Sequence, residues 1–402
     1  YMDTPVEDKK PVRRPPFFPK PKKLKAFYIY LEYLIGNAAS AMTWPVTSLY
    51  LHNYLHQSFF VTGIVLMFGS IVSMVASWAA GLMFDHWRPY HSFLISLFLA
   101  LFGSLMMFFF HDWPVYAIWL MLLNFGIGMF QTLINSYGSH IAAASPKKFF
   151  SNMAIILNIG TVIGTFFGTW IFDKLNIQGM MFLGIIFYLL MLVIAIIFFC
   201  IKIRPIAEIP KNKRELHLHY SHLLLAIGAL TMMTYLTYQF WETVMGPHMV
   251  SLGMTIEQYG YLWTINGIVI IVFQNWVTKV TSNWSLRKSV SIGTMIFAIT
   301  FPPLIWADKF WEMVIITIVL VIGEMLFSPG TTTWVSQIVP EQFQGQGMAF
   351  VSAAISLGRS IGPLYAGIFM DRGWIFALFM SSFVALVLLD GLVFLLGKKQ
   401  AI

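Results

Sequence analysis

Charge is what this sequence has least of. Lys, Arg, Asp and Glu make up 10% of its 402 residues, whereas 58% are hydrophobic. A soluble fold of that length would be very hard to cover with so few charges, which excludes an ordinary soluble domain. Cysteine is nearly absent as well. The single Cys200 lies in an apolar run, so no intramolecular disulfide and no cysteine-built metal site can form, and neither a metal nor a cofactor is expected. No G-x-x-x-x-G-K-[ST] run is present, which argues against an ATP-driven pump in this chain. The H-E-x-x-H and G-x-S-x-G contexts of membrane or soluble hydrolases are missing too, so the chain is not expected to be an enzyme. The first 25 residues are polar and rich in Pro, Lys and Arg, without the apolar stretch of a cleavable signal, so insertion is expected to depend on the first span itself.

What the sequence has is apolar runs. Crossing a hydrocarbon core about 30 Å thick takes about 20 helical residues. Apolar runs fall at 26–50, 58–84, 91–110, 114–138, 151–172, 179–201, 222–247, 257–278, 289–307, 310–335, 345–370 and 374–397. The expected fold is therefore all-α and integral to the membrane, with twelve transmembrane helices. A polar connector at 202–221, carrying Lys202, Arg204, Lys211, Lys213 and Arg214, divides them into six-helix bundles at 26–201 and 222–397, flanked by tails at 1–25 and 398–402.

Orientation is read from the basic residues near span ends, because cytoplasmic loops carry their excess. On the side of the N-terminal tail 21 of the 25 Lys and Arg residues gather, including Arg88, Lys147, Lys148, Lys279, Arg287, Lys288, Lys398 and Lys399. The other side has Lys174, Lys309 and Arg372. Both termini are expected in the cytoplasm and the chain in the cell membrane. The net charge of +8 is thus a topology signal, helped by attraction of the tail to anionic lipid, and not a nucleic-acid footprint.

The two halves repeat one another. Gly160 and Gly164 in the fifth span lead to Asp173-Lys174, and Gly358, Gly362 and Pro363 in the eleventh lead to Asp371-Arg372, with 13 residues from the first Gly to the Asp in both. Just upstream, Ser145-Pro146 leads to Asn152-Met153-Ala154, and Val339-Pro340 to Gly347-Met348-Ala349. Two pseudo-symmetric bundles related by duplication, around a central cavity, is the economical reading.

These residues resemble the major facilitator superfamily. Gly81 and Asp85 match the start of that family's loop signature G-x-x-x-D-R-x-G-R-[RK], although His86 and Arg88 stand where the family has its first Arg and the following Gly. Gly160, Gly164 and Gly168 keep the small-residue spacing of the antiporter glycine motif with Thr165 in place of its Pro, and Gly358, Gly362, Pro363 and Gly367 copy it more closely. The resemblance implies a conformational role for these glycines, Pro363 and Asp85. Small residues at every fourth position also let helices approach closely, and packing alone would account for them. A narrower resemblance, to Gram-positive multidrug:proton antiporters, rests on Gly323-Glu324 to Pro329 and on Gln239-Phe240-Trp241-Glu242 to Pro247-His248. The arginine of many drug:proton antiporters is missing from the fourth span.

Ionisable residues inside the spans are the candidate chemistry, because a charge at mid-membrane costs about 2.5 to 3.5 kcal/mol. Glu324 lies one turn before Pro329-Gly330, where a broken helix would free carbonyls to line a wet cavity. It is expected to carry protons or a substrate cation, or else to pair with Arg359. Glu242, with Trp241 and Tyr238 nearby, suits a cationic apolar ligand, unless solvent at the outer surface bathes it. Glu32 is a second proton candidate, unless a tail lysine captures it, and His140 titrates in the useful range, although a His at a helix end is commonly interfacial. Asn37 lies near Glu32 and is a substrate candidate. Asp390 is expected to snorkel toward Lys398 or pair within its bundle. Arg359 needs a partner or an anionic substrate. The expected function is proton-coupled secondary transport by alternating access, with export of amphipathic or cationic compounds in exchange for protons as the first reading and uptake or exchange of a polar nutrient, peptide, anionic or lipid-like solute as the alternative. A non-transporting receptor or scaffold is the alternative of another class. The expected partners are a small-molecule substrate, protons and membrane lipid, with the chain acting as a monomer.

Overall fold

A computed structural model describes residues 24–141, 146–201, 221–340 and 344–399. The tail at 1–23, most of the connector at 202–221, Ser145 and the chain's last three residues lie outside the described residues. Among the described residues the chain forms twelve helical segments. They are α1 (Ala26–Leu49), α2 (Phe59–His86), α3 (Pro89–Phe109), α4 (Val115–Ile141), α5 (146–175), α6 (177–198), α7 (His222–Ser251), α8 (Ile256–Val280), α9 (Leu286–Ile305), α10 (Phe310–Ile338), α11 (Gln344–Asp371) and α12 (Ile375–Lys399). The boundary between α5 and α6 is a single residue, Asn176, at φ 57° and ψ −164°, a positive-φ conformation outside both helical regions that breaks the helix there.

Helix starts follow local chemistry. Ser58, Ser221 and Ser285 accept from the backbone N–H three residues on, and Thr255 forms a capping box with Gln258. Two apolar cores result, one built from buried residues between Leu24 and Phe199, the other between Leu223 and Val393. Outside them the rule of soluble proteins is inverted: Phe68, Ile118, Leu189 and Leu388 stand exposed, as side chains facing lipid do. Among the described residues nine helical stretches are long and apolar enough to cross a membrane, and one of these, Asn152–Phe198, takes in most of α5 and all of α6. The two segments that fall short are α1 and α11. They carry Asn37, Ser40, Thr43 and Thr47 in the first and Ser352, Ser356, Arg359 and Ser360 in the second.

One expectation is corrected. α10 is not broken at Pro329 but runs through it from Phe310 to Ile338. Proline removes the N–H that would bond the carbonyl four residues earlier. That carbonyl belongs to Met325, and the Gln274 side-chain amide of α8 donates to it at 3.5 Å. The irregular backbone lies elsewhere, in a π-helical turn at Trp241–Met245 in α7, just before Pro247, and in another at Tyr50–Tyr54 after α1. The first of these contains Glu242.

Candidate functional site

Ser and Thr recur every three or four residues along one face of α1, at Ser40, Thr43 and Thr47, and of α2, at Ser70, Ser73 and Ser77, which aligns them on a single helix side. Together with residues of α4, α7 and α11 they line a cavity of about 400 Å³ between the bundles. The N-terminal half contributes Ser40, Thr43, Thr47, Ser70, Ser73, Ser77 and Asn124. The C-terminal half contributes Gln239, Glu242, Ser356, Arg359 and Ser360. Among the predicted residues, Glu242 and Arg359 are therefore brought to one space. Arg359 is exposed, its guanidinium carbon 5.2 Å from the Tyr235 ring centroid, while the Ser48 hydroxyl donates to the Glu242 carbonyl and ties α1 to the π-turn.

The remaining predicted residues sit behind that wall. Tyr238, Trp241 and Asn266 surround a separate void of about 10 Å³, with Asn266 donating to the Tyr238 hydroxyl at 3.4 Å. Glu324 lies beside Tyr238 and Asn266, one carboxylate oxygen buried without a partner. The anticipated pair between Glu324 and Arg359 is not formed, since the ion pairs among the described residues both belong to Lys174. Arg359 is nonetheless near enough to act electrostatically on both Glu242 and Glu324. Asn37 is off the wall too, donating to the Tyr33 carbonyl at 2.6 Å and accepting from Gln131 at 3.1 Å inside the first bundle. Glu32 is fully buried and neither oxygen has a hydrogen-bond partner. The His140 ring nitrogen meets the Ser136 carbonyl at 2.9 Å, and Asp390 accepts from Ser291 at 2.6 Å instead of reaching Lys398. Asp390 thus pairs within its own bundle, one of its two expected placements, whereas Tyr238, Trp241 and Asn37 lie off the wall because apolar residues surround them on every side of their helices and the sequence does not mark which side faces the cavity.

The glycines divide by partner. A Cβ on Gly160 or Gly164 would meet α1, and one on Gly358 or Gly362 would meet α7, so these four pack helices within a bundle. Gly81 has open space around it and Asp85 is exposed at the same end of α2. Contacts between the bundles use other residues. Gly63 lies against the Pro363 carbonyl, Gly367 against that of Phe59, Gly260 against Thr169 and Gly267 against Val162. All run from mid-membrane to the face opposite residue 24, called the far face below. The bundles thus meet over the far half of the fold.

Two polar contacts add to that meeting, and the sequence repeat relates them. The Asp371 carboxylate at the end of α11 accepts the Phe59 and Phe60 N–H groups, both at 2.8 Å, across the bundle boundary. It caps the positive end of α2. In the other half Lys174, next to Asp173, bonds Glu257 in the first turn of α8 at 3.3 Å. The repeated Asp followed by a base was the signal for both, although it carries no indication of the partner helix. Asp371→Asn keeps the shape but removes the charge at an exposed helix start, an effect of at most about 1 kcal/mol. It is expected to raise the far-open population two- to fivefold, read as far-side labelling of a cysteine introduced at Ser70.

Comparison with known proteins extends over the whole of this architecture. A chain of 28% identity over 387 residues, the uncharacterized MFS-type transporter YttB of Bacillus subtilis, is matched over 94% of this chain and 96% of its own. The quinolone resistance protein NorA of Staphylococcus aureus is 32% identical over 117 residues, which is 29% of this chain and 27% of NorA. Among solved structures, a POT family transporter in complex with 5-aminolevulinic acid superposes with a TM-score of 0.79 at 12% identity, covering 93% of this chain and 96% of that one, a likeness of fold. The model of the Major Facilitator Superfamily matches residues 29–246 and 223–401. Two six-helix halves, a polar cavity between them and that match have one meaning: the chain belongs to the Major Facilitator Superfamily of secondary transporters, and is not an enzyme.

Proposed function

We propose that this transporter couples solute movement to protons by alternating access, with Glu242 and Glu324 as the proton-carrying pair. The observation that carries the reading is the placement of Glu242 on the cavity wall, with Glu324 behind it next to Tyr238 and Asn266, both acids within the electrostatic reach of Arg359. A carboxyl that faces water in one state and the bundle in another changes its affinity for protons as the cavity switches sides. The excess of basic residues in the loops of the near face supports a cytoplasmic near face, and with the bundles in contact at the far face the reading is of a state open inward. Gly81 and Asp85 lie at that end of α2, and in this reading they act in the switch between states.

Export of organic cations in exchange for protons is a second reading, supported by the partial similarity to NorA and by the two acids. The sign of proton flow separates antiport from symport. In liposomes with a trapped pH dye, ethidium or a mixed pool of amino acids is added to the wild type and to the double variant Glu242→Gln, Glu324→Gln. Solute-triggered proton movement that the double variant loses is the expected result. Proton movement that survives both substitutions, or solute transport with none, would overturn the coupling.

A further inference from the structure

Arg359 is a permanent cation facing the cavity inside the membrane part of the fold, and among the described residues its close neighbour is an aromatic ring, with Glu242 and Glu324 near but beyond salt-bridge distance. Retaining such a charge calls for an anionic counterpart. The facing wall is of opposite character. The hydroxyls of Thr43, Ser70 and Ser77 each donate to a carbonyl of their own helix at 2.8 to 3.2 Å, so the proton is engaged and the oxygen stays an acceptor in the cavity lining. Glu242 adds a carboxyl to the same space without pairing Arg359 at salt-bridge distance. One space thus offers donors at one point and acceptors at another, held apart.

We infer that the cavity takes a small zwitterion, its carboxylate or other oxyanion on Arg359 and its ammonium toward Glu242 and the hydroxyl wall. An organic cation would bring like charge to Arg359. A simple anion would leave the lone pairs and Glu242 facing negative charge. A guanidinium fork reads an oxyanion through two parallel N–H bonds, which an ammonium does not reproduce. This inference rests on the cavity being the transport site proposed above, and it deepens that reading by naming the chemical class of the solute.

Equilibrium binding, without a proton gradient, keeps its failure separate from that of coupling. The purified protein is titrated with ω-amino acids from glycine to 6-aminohexanoate, and with hexylammonium and hexanoate as the singly charged halves, following ligand-induced thermal stabilisation. At least one ω-amino acid is expected to bind about tenfold or more tightly than either half. Arg359→Gln and Glu242→Gln are each expected to lose that advantage, and Arg359→Lys to keep part of it. The unfolding curve of each variant without ligand reports whether it is folded. Hexylammonium binding as tightly as the best zwitterion, affinity unchanged in folded Arg359→Gln, or no stabilisation by any member of the series would each overturn the assignment.

Discussion

Replacing Gly63 with valine is expected to stop turnover, by about a hundredfold, in a protein that still folds. A Cβ at this position would stand 2.4 Å from the Pro363 carbonyl oxygen and 2.8 Å from its carbon. Both are backbone atoms of α11, so neither can swing aside as a side chain would. Overpacking of this kind costs typically 1 to 3 kcal/mol, and about 3 kcal/mol would shift a two-state equilibrium by on the order of a hundredfold. The cost falls on the far-closed state, because each bundle keeps its own core and Gly63 touches the other bundle only when the far face is shut. The cavity should then stay open to the far side. With Cys200 replaced by serine, a cysteine at Ser70 should react with an impermeant maleimide from the far side and not from the near side. Unchanged turnover in Gly63→Val would show that the Gly63 to Pro363 approach is not needed for closure.

Glu324→Gln is the second large effect, and here transport should split in two. Gln is nearly the same shape and can still bond Tyr238 and Asn266, so solute binding in the cavity, whose wall does not include Glu324, should change less than about twofold. Accumulation against a gradient, in contrast, needs a group that takes up and releases a proton, and Gln has none. Uptake driven by an imposed pH difference should fall to the level of protein-free liposomes, while solute exchange at equal pH persists. Loss of both exchange and accumulation would assign Glu324 to binding. Retention of both would leave the proton with Glu242 alone.

Much of the fold was legible in the sequence, since each span is a run of apolar residues bounded by charge, Pro or Gly, and the repeated glycine and Asp spacing exposed the duplication. The candidate site was legible in part. Glu242 and Arg359 stood out because charge is scarce, and the cavity wall takes in both. The hydroxyl stripe at Ser70, Ser73 and Ser77 was readable from its spacing but stands out weakly, because serine is common in membrane helices. Tyr238, Trp241 and Asn37 were placed at the substrate and sit instead inside their bundles. The reason is physical: lipid tails and helix cores are equally apolar, so the sequence of an aromatic-rich helix does not distinguish the side that meets lipid, core or cavity. The cross-bundle glycines, Gly63, Gly260 and Gly267, were silent for the same reason. Each has no glycine four residues to either side, and its partner lies in the other half of the chain.

The hydroxyls and the guanidinium that give the cavity its polarity also leave α1 and α11 short of the apolar character of their neighbours. During synthesis such a segment partitions poorly into lipid by itself, since each polar group must find a partner there. The strongly apolar α2 and α12 follow directly. The two cavity helices are therefore best delivered as helical hairpins with the segment after them, α1 with α2 and α11 with α12. A truncation that ends after α11 should leave that helix outside the bilayer, while one that ends after α12 should not.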